Sequence, residues 1–236
     1  MSIAKVCFYV LFQQGEHYLC FVRIFLLLSI LCCGQLAAQQ DSLTTLAFGV
    51  GGGFFGSQIE LTNTLRPEYT IQPVEGIHLG ASVRYFNNRA VGFIGELNYT
   101  QAGWQEQISE DLPVYRRDID FIDLQILTQV AIGRKLIRPM VQAGPYFSLP
   151  LSQSEIVPDT FAMLDEENYY GEELPFRPNY GLAISGGFYL QVGPIGIQLE
   201  GRGFLGVSDL VRSGSFGVTT SRRRGVGGKV TVFYEL

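Results

Sequence analysis

The sequence predicts an all-β fold, an eight-stranded antiparallel up-and-down transmembrane β-barrel after an N-terminal signal peptide. Three observations predict it. After residue 40, apolar and polar residues alternate through eight segments, the period-two pattern of a strand whose two faces meet different surroundings. The connections between segments are short, then long, in turn. Asn87-Asn88, 133–136 and Gly193-Pro194 read as tight turns, whereas 57–75, 102–117, 149–178 and 206–223 read as long polar loops. Bacterial membrane barrels have this asymmetry, with short periplasmic turns and long outer loops. Finally, the non-apolar face is rich in Gly, Ala and Ser rather than in the charges that keep a soluble surface in water.

The first 38 residues differ from the rest. Residues 22–31 form an apolar run carrying Arg23, then small residues lead to Ala37-Ala38. This is the pattern of a secretory signal peptide cut after Ala38, and about ten apolar residues are too few for a helix that needs roughly 20 to span a bilayer. Residues 1–21 read as an overlong extension of that signal. Cys7, Cys20, Cys32 and Cys33 all precede the cut, so the barrel, residues 39–236, has no cysteine and needs no disulfide framework. Cys32-Cys33 lacks the small preceding residue of a lipoprotein anchor.

Each segment assigns its own faces. In 43–55, Leu46, Phe48, Val50 and Phe54 face out and Ala47, Gly49, Gly51 and Gly53 face in. That bare inner face leaves room for large groups from neighbouring strands. In 76–86, Ile77, Leu79, Ala81, Val83 and Tyr85 oppose His78, Gly80, Ser82, Arg84 and Phe86. The third segment sets Val91, Phe93, Leu97 and Tyr99 against Gly92, Ile94, Glu96 and Asn98. The fourth sets Ile122, Leu124, Ile126, Val130 and Ile132 against Asp123, Gln125, Leu127 and Gln129. The fifth has Val141, Ala143 and Phe147 against Gln142, Gly144, Tyr146 and Ser148. The sixth opposes Leu182, Ile184, Phe188 and Leu190 to Gly181, Ala183, Ser185, Gly187 and Tyr189. In the seventh, Ile197 and Leu199 oppose Gln198, Glu200 and Arg202; in the last, Val230, Val232, Tyr234 and Leu236 oppose Lys229, Thr231, Phe233 and Glu235. Tyr85, Tyr99, Trp104, Tyr115, Phe147, Tyr180 and Tyr234 are expected in aromatic girdles. A soluble barrel with its apolar face inward around a ligand is the alternative, since periodicity does not tell inside from outside.

Several stretches, "LAFGVGGGF" (46–54), "FIGELNYTQAG" (93–103), "DFIDLQ" (120–125), "PMVQAGPYFSL" (139–149) and "YGLAISGGF" (180–188), follow one another in order. In them the chain resembles the outer-membrane β-barrel domain of the porin/PorT-like family of Bacteroidetes. Glu96-Leu97-Asn98-Tyr99-Thr100-Gln101-Ala102-Gly103 and Ala143-Gly144-Pro145-Tyr146 match that family's third and fifth strands closely. Asp123 and Gln125 stand where its fourth strand has Glu and Pro. The resemblance covers 43–236 and implies residence in the cell outer membrane, with insertion by the barrel-assembly machinery. The last residues fit that machinery's C-terminal signal, with Leu236 in place of the usual Phe. The resemblance also implies, as one functional alternative, an accessory of a secretion or transport assembly.

Eight strands enclose an interior just wide enough for side chains to fill. Arg84, Glu96, Asp123, Glu200, Arg202 and Lys229 are therefore expected to form a mutually neutralising lumen network, because buried charges are costly unless paired. The function expected is structural or binding, through the outer loops of a monomer in contact with outer-membrane lipid. A narrow channel is a lesser alternative. So is a lipid-modifying enzyme, which would need His78, the one histidine after the cut, beside a serine; Ser82 lies too far along the same strand face. No catalytic residue, cofactor or metal site is predicted, and a net charge of −5 argues against nucleic acid. Asp165-Glu166-Glu167 with Glu172-Glu173 reads as solvated loop charge, with cation binding as the alternative. Arg222-Arg223-Arg224 reads as an interfacial anchor or a contact for anionic head groups. Asn98-Tyr99-Thr100 matches a glycosylation triplet but falls within a strand.

Overall fold

The computed structural model describes residues 45–63, 70–86, 90–107, 113–133, 136–162, 170–212 and 218–236. Residues 1–44, which hold the expected signal peptide, and the expected Asn87-Asn88 turn lie outside the described residues. The elements are β1 (Thr45–Asn63), β2 (Thr70–Gln72), β3 (Val74–Phe86), β4 (Val91–Gln107), β5 (Tyr115–Ala131) and β6 (Ile137–Ile156). They continue with a one-turn helix α1 (Asp159–Ala162), β7 (Asn179–Val192), β8 (Ile195–Gly206) and β9 (Val218–Glu235).

Eight of the nine strands close on themselves. The order β4-β3-β1-β9-β8-β7-β6-β5 returns to β4 through a β4–β5 pairing, and β2 only fringes β4. Every neighbouring pair is antiparallel, so the ring is an up-and-down barrel. At the seam, β1 and β9 pair from Ala47↔Glu235 to Asn63↔Val218, and the Leu236 N–H donates to the Leu46 carbonyl at 2.9 Å. The outward side chains are apolar: Phe54 is 76 % exposed and Val226 70 %, whereas Glu96 and Arg202, inward, are about 1 % exposed. This inverts a soluble protein and suits a wall standing in lipid.

The inward and outward faces follow the sequence pattern, but the connections differ from it. Much of each long polar stretch is strand: β1 runs to Asn63, β4 to Gln107 and β6 to Ile156. Crossing the hydrocarbon takes about 9–11 tilted residues, so strands of 17 residues in β4 and 20 in β6 stand well clear of the membrane. Above the apolar belt both faces are wet or capped, and polarity no longer marks a loop. The girdle assignment of Trp104 and Tyr115 is also corrected. Both are fully buried, because they lie on the inward parity of β4 and β5 above the membrane.

Proline shapes one strand. β6 carries Pro139, Pro145 and Pro150; its pairing with β5 skips from Tyr146 to Ala143 across Pro145 and shifts register beside Pro150. Proline has no N–H for the ladder, so it sits where pairing is interrupted.

The bare inner face of β1 has a steric cause. A Cβ on Gly49 would lie 2.6 Å from the Phe233 ring, and one on Gly53 would lie 1.9 Å from the Gly228 carbonyl oxygen. Gly186, on the lipid side of β7, has nothing nearer than 3.9 Å. Gly53→Ala is therefore expected to lower the urea midpoint of the folded barrel, by an overpacking cost of roughly 1–3 kcal/mol. Gly186→Ala should leave it unchanged. The fast-migrating unboiled band on a denaturing gel identifies the folded population in both.

Candidate functional site: a tiered lumen beneath a folded cap

The inward charges fall into tiers rather than the single network expected. Near the end where β1 begins and β9 ends, Arg84 donates to the Tyr189 hydroxyl at 2.7 Å and to Glu235 at 2.8 Å. Its guanidinium lies 4.1 Å from the Phe233 ring centre and 4.2 Å from that of Tyr189. Stacking suits arginine because a planar guanidinium is weakly hydrated. Gln191 and Tyr189 also donate to Glu235.

The middle tier is the tightest. Arg202 on β8 reaches across the lumen to Glu96 on β4 with two bonds, at 2.5 and 3.0 Å, and bonds Glu200 at 2.5 Å. Lys229 on β9 donates to the same Glu96 oxygen at 2.7 Å and to Asn98 at 3.2 Å. Gln125 and Gln142 accept from Arg202, while Ser185 and Gln198 donate to Glu200. Two carboxylates thus face two cations, and the four charges cancel with their side chains shut off from solvent.

The outer tier centres on Asp123, which takes two bonds from Arg223 at 2.9 and 3.2 Å and one each from Ser148 and Thr100. Arg223 was grouped by sequence with Arg222 and Arg224 at the surface. In the strand the triplet splits: Arg223 is 2 % exposed and turned inward, while its two neighbours face out. Strand parity, counted back from Lys229, carried that information.

His78 also belongs to this tier, its ring packed on Phe55 and Phe204 at 4.8 and 6.0 Å. Its Nδ1 lies 2.7 Å from the Thr100 hydroxyl, which donates at 2.8 Å to Asp123. A hydroxyl has one hydrogen, and Thr100 gives it to the carboxylate. The imidazole must therefore be the Nδ1–H donor to Thr100 and does not stand as a base toward that hydroxyl.

Above the membrane the barrel mouth is filled. Ile59, Trp104, Tyr115, Ile119, Phe121, Phe161, Leu174, Leu210 and Val211 form a buried cluster, with Ile71, Val157, Tyr170 and Phe176 packed against it. Tyr170 lies edge-on to Tyr115 at 4.6 Å and to Phe161 at 5.1 Å. Polar groups pin the cluster. Trp104 Nε1 and the Tyr170 hydroxyl each donate to Glu106 at 2.6 Å. Arg117 donates to Tyr115, Gln153, Glu155 and the Glu172 carbonyl, and burial holds the Tyr115 hydroxyl well above the usual phenol range.

The cap also completes the wall. β7 and β8 stop short of β6 and β9, and two connecting segments fill the gap. Gln153 exchanges two bonds with Leu174; Phe176 bridges to Val211; Arg177 N–H donates to the Leu210 carbonyl; and Leu210 N–H donates to the Ser221 carbonyl on β9. Of the acidic stretch, 165–167 lies outside the described residues. Glu172 and Glu173 are exposed. No group of three or more metal-ligating side chains occurs among the described residues.

Residues 37–212 match the family model described as "Outer membrane protein beta-barrel domain". The chain belongs to the outer membrane protein β-barrel domain family. It is placed accordingly in the Gram-negative outer membrane. Its fold is similar to that of the outer membrane protein OprG from Pseudomonas aeruginosa, with a TM-score of 0.53 at 12 % identity over 80 % of this chain and 95 % of that one. It is similar also to the outer membrane protein AlkL determined in DMPC bilayers, with a TM-score of 0.50 at 11 % identity over 84 % and 93 %. At these identities the likeness is one of fold. No curated protein matches the chain.

Two substitutions separate the tiers from the cap. Glu96→Ala leaves Arg202 and Lys229 facing each other without their shared carboxylate, and breaking such a buried pair costs about 3–5 kcal/mol. Urea unfolding of the refolded barrel should register that loss. Arg117→Ala should instead spare the barrel's midpoint and loosen the cap, read as a red shift and easier acrylamide quenching of Trp104, the single tryptophan of the chain.

Proposed function

We propose that this protein is a non-conducting outer membrane barrel that works, as a monomer, through its extracellular face. The observation that carries this is the middle tier, where Glu96, Glu200, Arg202 and Lys229 span the lumen and cancel one another with no solvent exposure. A solute passing through would have to break these pairs, leaving buried charges unpaired at a cost of several kcal/mol each. On this reading the six residues Arg84, Glu96, Asp123, Glu200, Arg202 and Lys229, joined by Arg223 and Glu235, act as a plug. The cap of loops over β7 and β8 is then the surface that meets ligands or partners.

A non-enzymatic role fits the same geometry. His78 donates to Thr100 through Nδ1, and its remaining basic nitrogen, Nε2, is buried beside Phe55 and Phe204, out of reach of a substrate at the rim. The PorT-like accessory role that the sequence resemblance implies shares the essential element of this reading, a closed barrel offering an exposed face to a partner.

The deciding measurement is conductance in planar bilayers. The refolded protein should add no step-like current to the bare bilayer. Glu96→Ala, by opening the middle tier, is the variant expected to leak if either does. Discrete wild-type openings would overturn the plug and make the tiers the lining of a channel.

A further inference from the structure

The outer crown of the barrel is electrically lopsided. Among the described residues, the outward charged residues just above the apolar belt over β3 and β5 are Glu75, Asp118, Asp120 and Arg116, three acids to one base. Arg116 is already committed to Asp118 by a two-pronged bond at 2.7 and 3.0 Å, and Asp120 accepts from Ser152 at 2.6 Å. Over the seam of β9 and β1 the balance reverses, with Arg222 and Arg224 against Glu60.

The position of the two arginines is set by the strand. Val226, 70 % exposed, is the last outward apolar residue of β9; Arg224 is the next outward position and Arg222 the one after. Two residues along a strand separate them by about 6.8 Å, on the same face of the wall. Leu205, half exposed, flanks Arg224 on β8 in direct register. Arg224 pairs with Glu60 at 2.7 Å, with both side chains open to solvent, and an exposed pair of that kind holds little and exchanges readily. Arg222 stands opposite Glu60 in the ladder, yet the carboxylate of Glu60 pairs with Arg224, and no ion pair of Arg222 occurs among the described residues.

We infer that Arg222 and Arg224 dock the phosphate of an outer-leaflet glycolipid head group, with its acyl chains against Val226 and Leu205. The chemistry is that of the guanidinium, whose planar donors match phosphate oxygens in pairs. The height suits a head group, since the arginines sit one step beyond the apolar surface. The acidic crown over β3 and β5 confines that docking to the β8–β9–β1 side. This inference does not depend on the closed lumen, because it concerns the outer wall alone.

Native mass spectrometry in neutral detergent, with added bisphosphorylated lipid A, tests it. Wild type should carry the lipid as an adduct. Arg222→Gln with Arg224→Gln should reduce the adduct about tenfold or more, as expected for losing charge-assisted hydrogen bonds. Arg116→Gln, which removes one arginine charge on the other side, should not. Glu60→Gln frees Arg224 and should raise the adduct, which keeps the test open if the double variant assembles poorly; the unboiled mobility shift reports assembly. Lipid A stripped of both phosphates should give no adduct. The inference is overturned if the folded double variant holds lipid A as well as wild type does, if Glu60→Gln gains nothing, or if the phosphate-free lipid binds equally.

Discussion

The hydrocarbon core of a bilayer offers no partner to a backbone N–H or carbonyl, and the rest of this structure depends on that constraint. A wall of strands satisfies it only when closed, because an open sheet edge in lipid leaves a row of groups unpaired. Closure here rests on the β1–β9 seam, the longest pairing of the ring, from Ala47↔Glu235 to Asn63↔Val218. Closing eight strands also fixes the diameter, and with it a narrow interior. The glycines of β1 follow from this. Where Phe233, Thr231 and Lys229 project into a narrow lumen, the facing positions Gly49, Gly51 and Gly53 have no room for a Cβ.

A narrow lumen closed to bulk solvent then dictates how its charges are arranged. Isolated, each would be prohibitively expensive to hold away from water. Here cations and carboxylates meet at three heights: Arg84 with Glu235, then Arg202 and Lys229 with Glu96 and Glu200, then Arg223 with Asp123. Arg202–Glu96 and Arg223–Asp123 join strands on opposite sides of the ring, and Lys229–Glu96 joins β9 to β4, so these pairs tie the walls together across the lumen. Bonds that cross the lumen resist flattening of the barrel, which pairing between neighbouring strands does not do. Arg84 adds a second device, its face stacked between the rings of Tyr189 and Phe233.

How much of this the sequence disclosed depended on whether a strand had one lumen face and one lipid face. Within the belt the alternation is strict, and the faces of Leu79, Ser82, Arg84, Glu96, Asp123, Arg202 and Lys229 were all legible from it. Above the belt the signal vanished, because lipid no longer selects apolar residues for the outward face. Strand extensions such as 102–107 and 149–156 therefore looked like loops. Trp104 looked like an interfacial aromatic, although continuing the parity of Glu96 and Asn98 along β4 points it inward. Arg223 was hidden by composition: three arginines in a row resemble a surface patch unless each is assigned its face. Partner choice across the lumen was not legible at all, since the shear that brings Arg202 of β8 to Glu96 of β4 is a property of the closed ring.

The uneven heights of the strands carry the argument from structure to function. β7 and β8 end near the membrane boundary, with 14 and 12 residues, while β4, β5, β6 and β9 continue with 17, 17, 20 and 18. The notch this leaves would expose the edges of β6 and β9, and exposed edges invite unwanted pairing. The segments around Leu174 and Leu210 fill it, held by the aromatic cluster beneath and by backbone bonds to each other and to β9. On the proposed reading, a binding surface built this way would be in place before a partner arrives, which lowers the ordering cost of association. With the lumen occupied by mutually cancelling charge, that preformed extracellular face is where the barrel has chemistry left to offer.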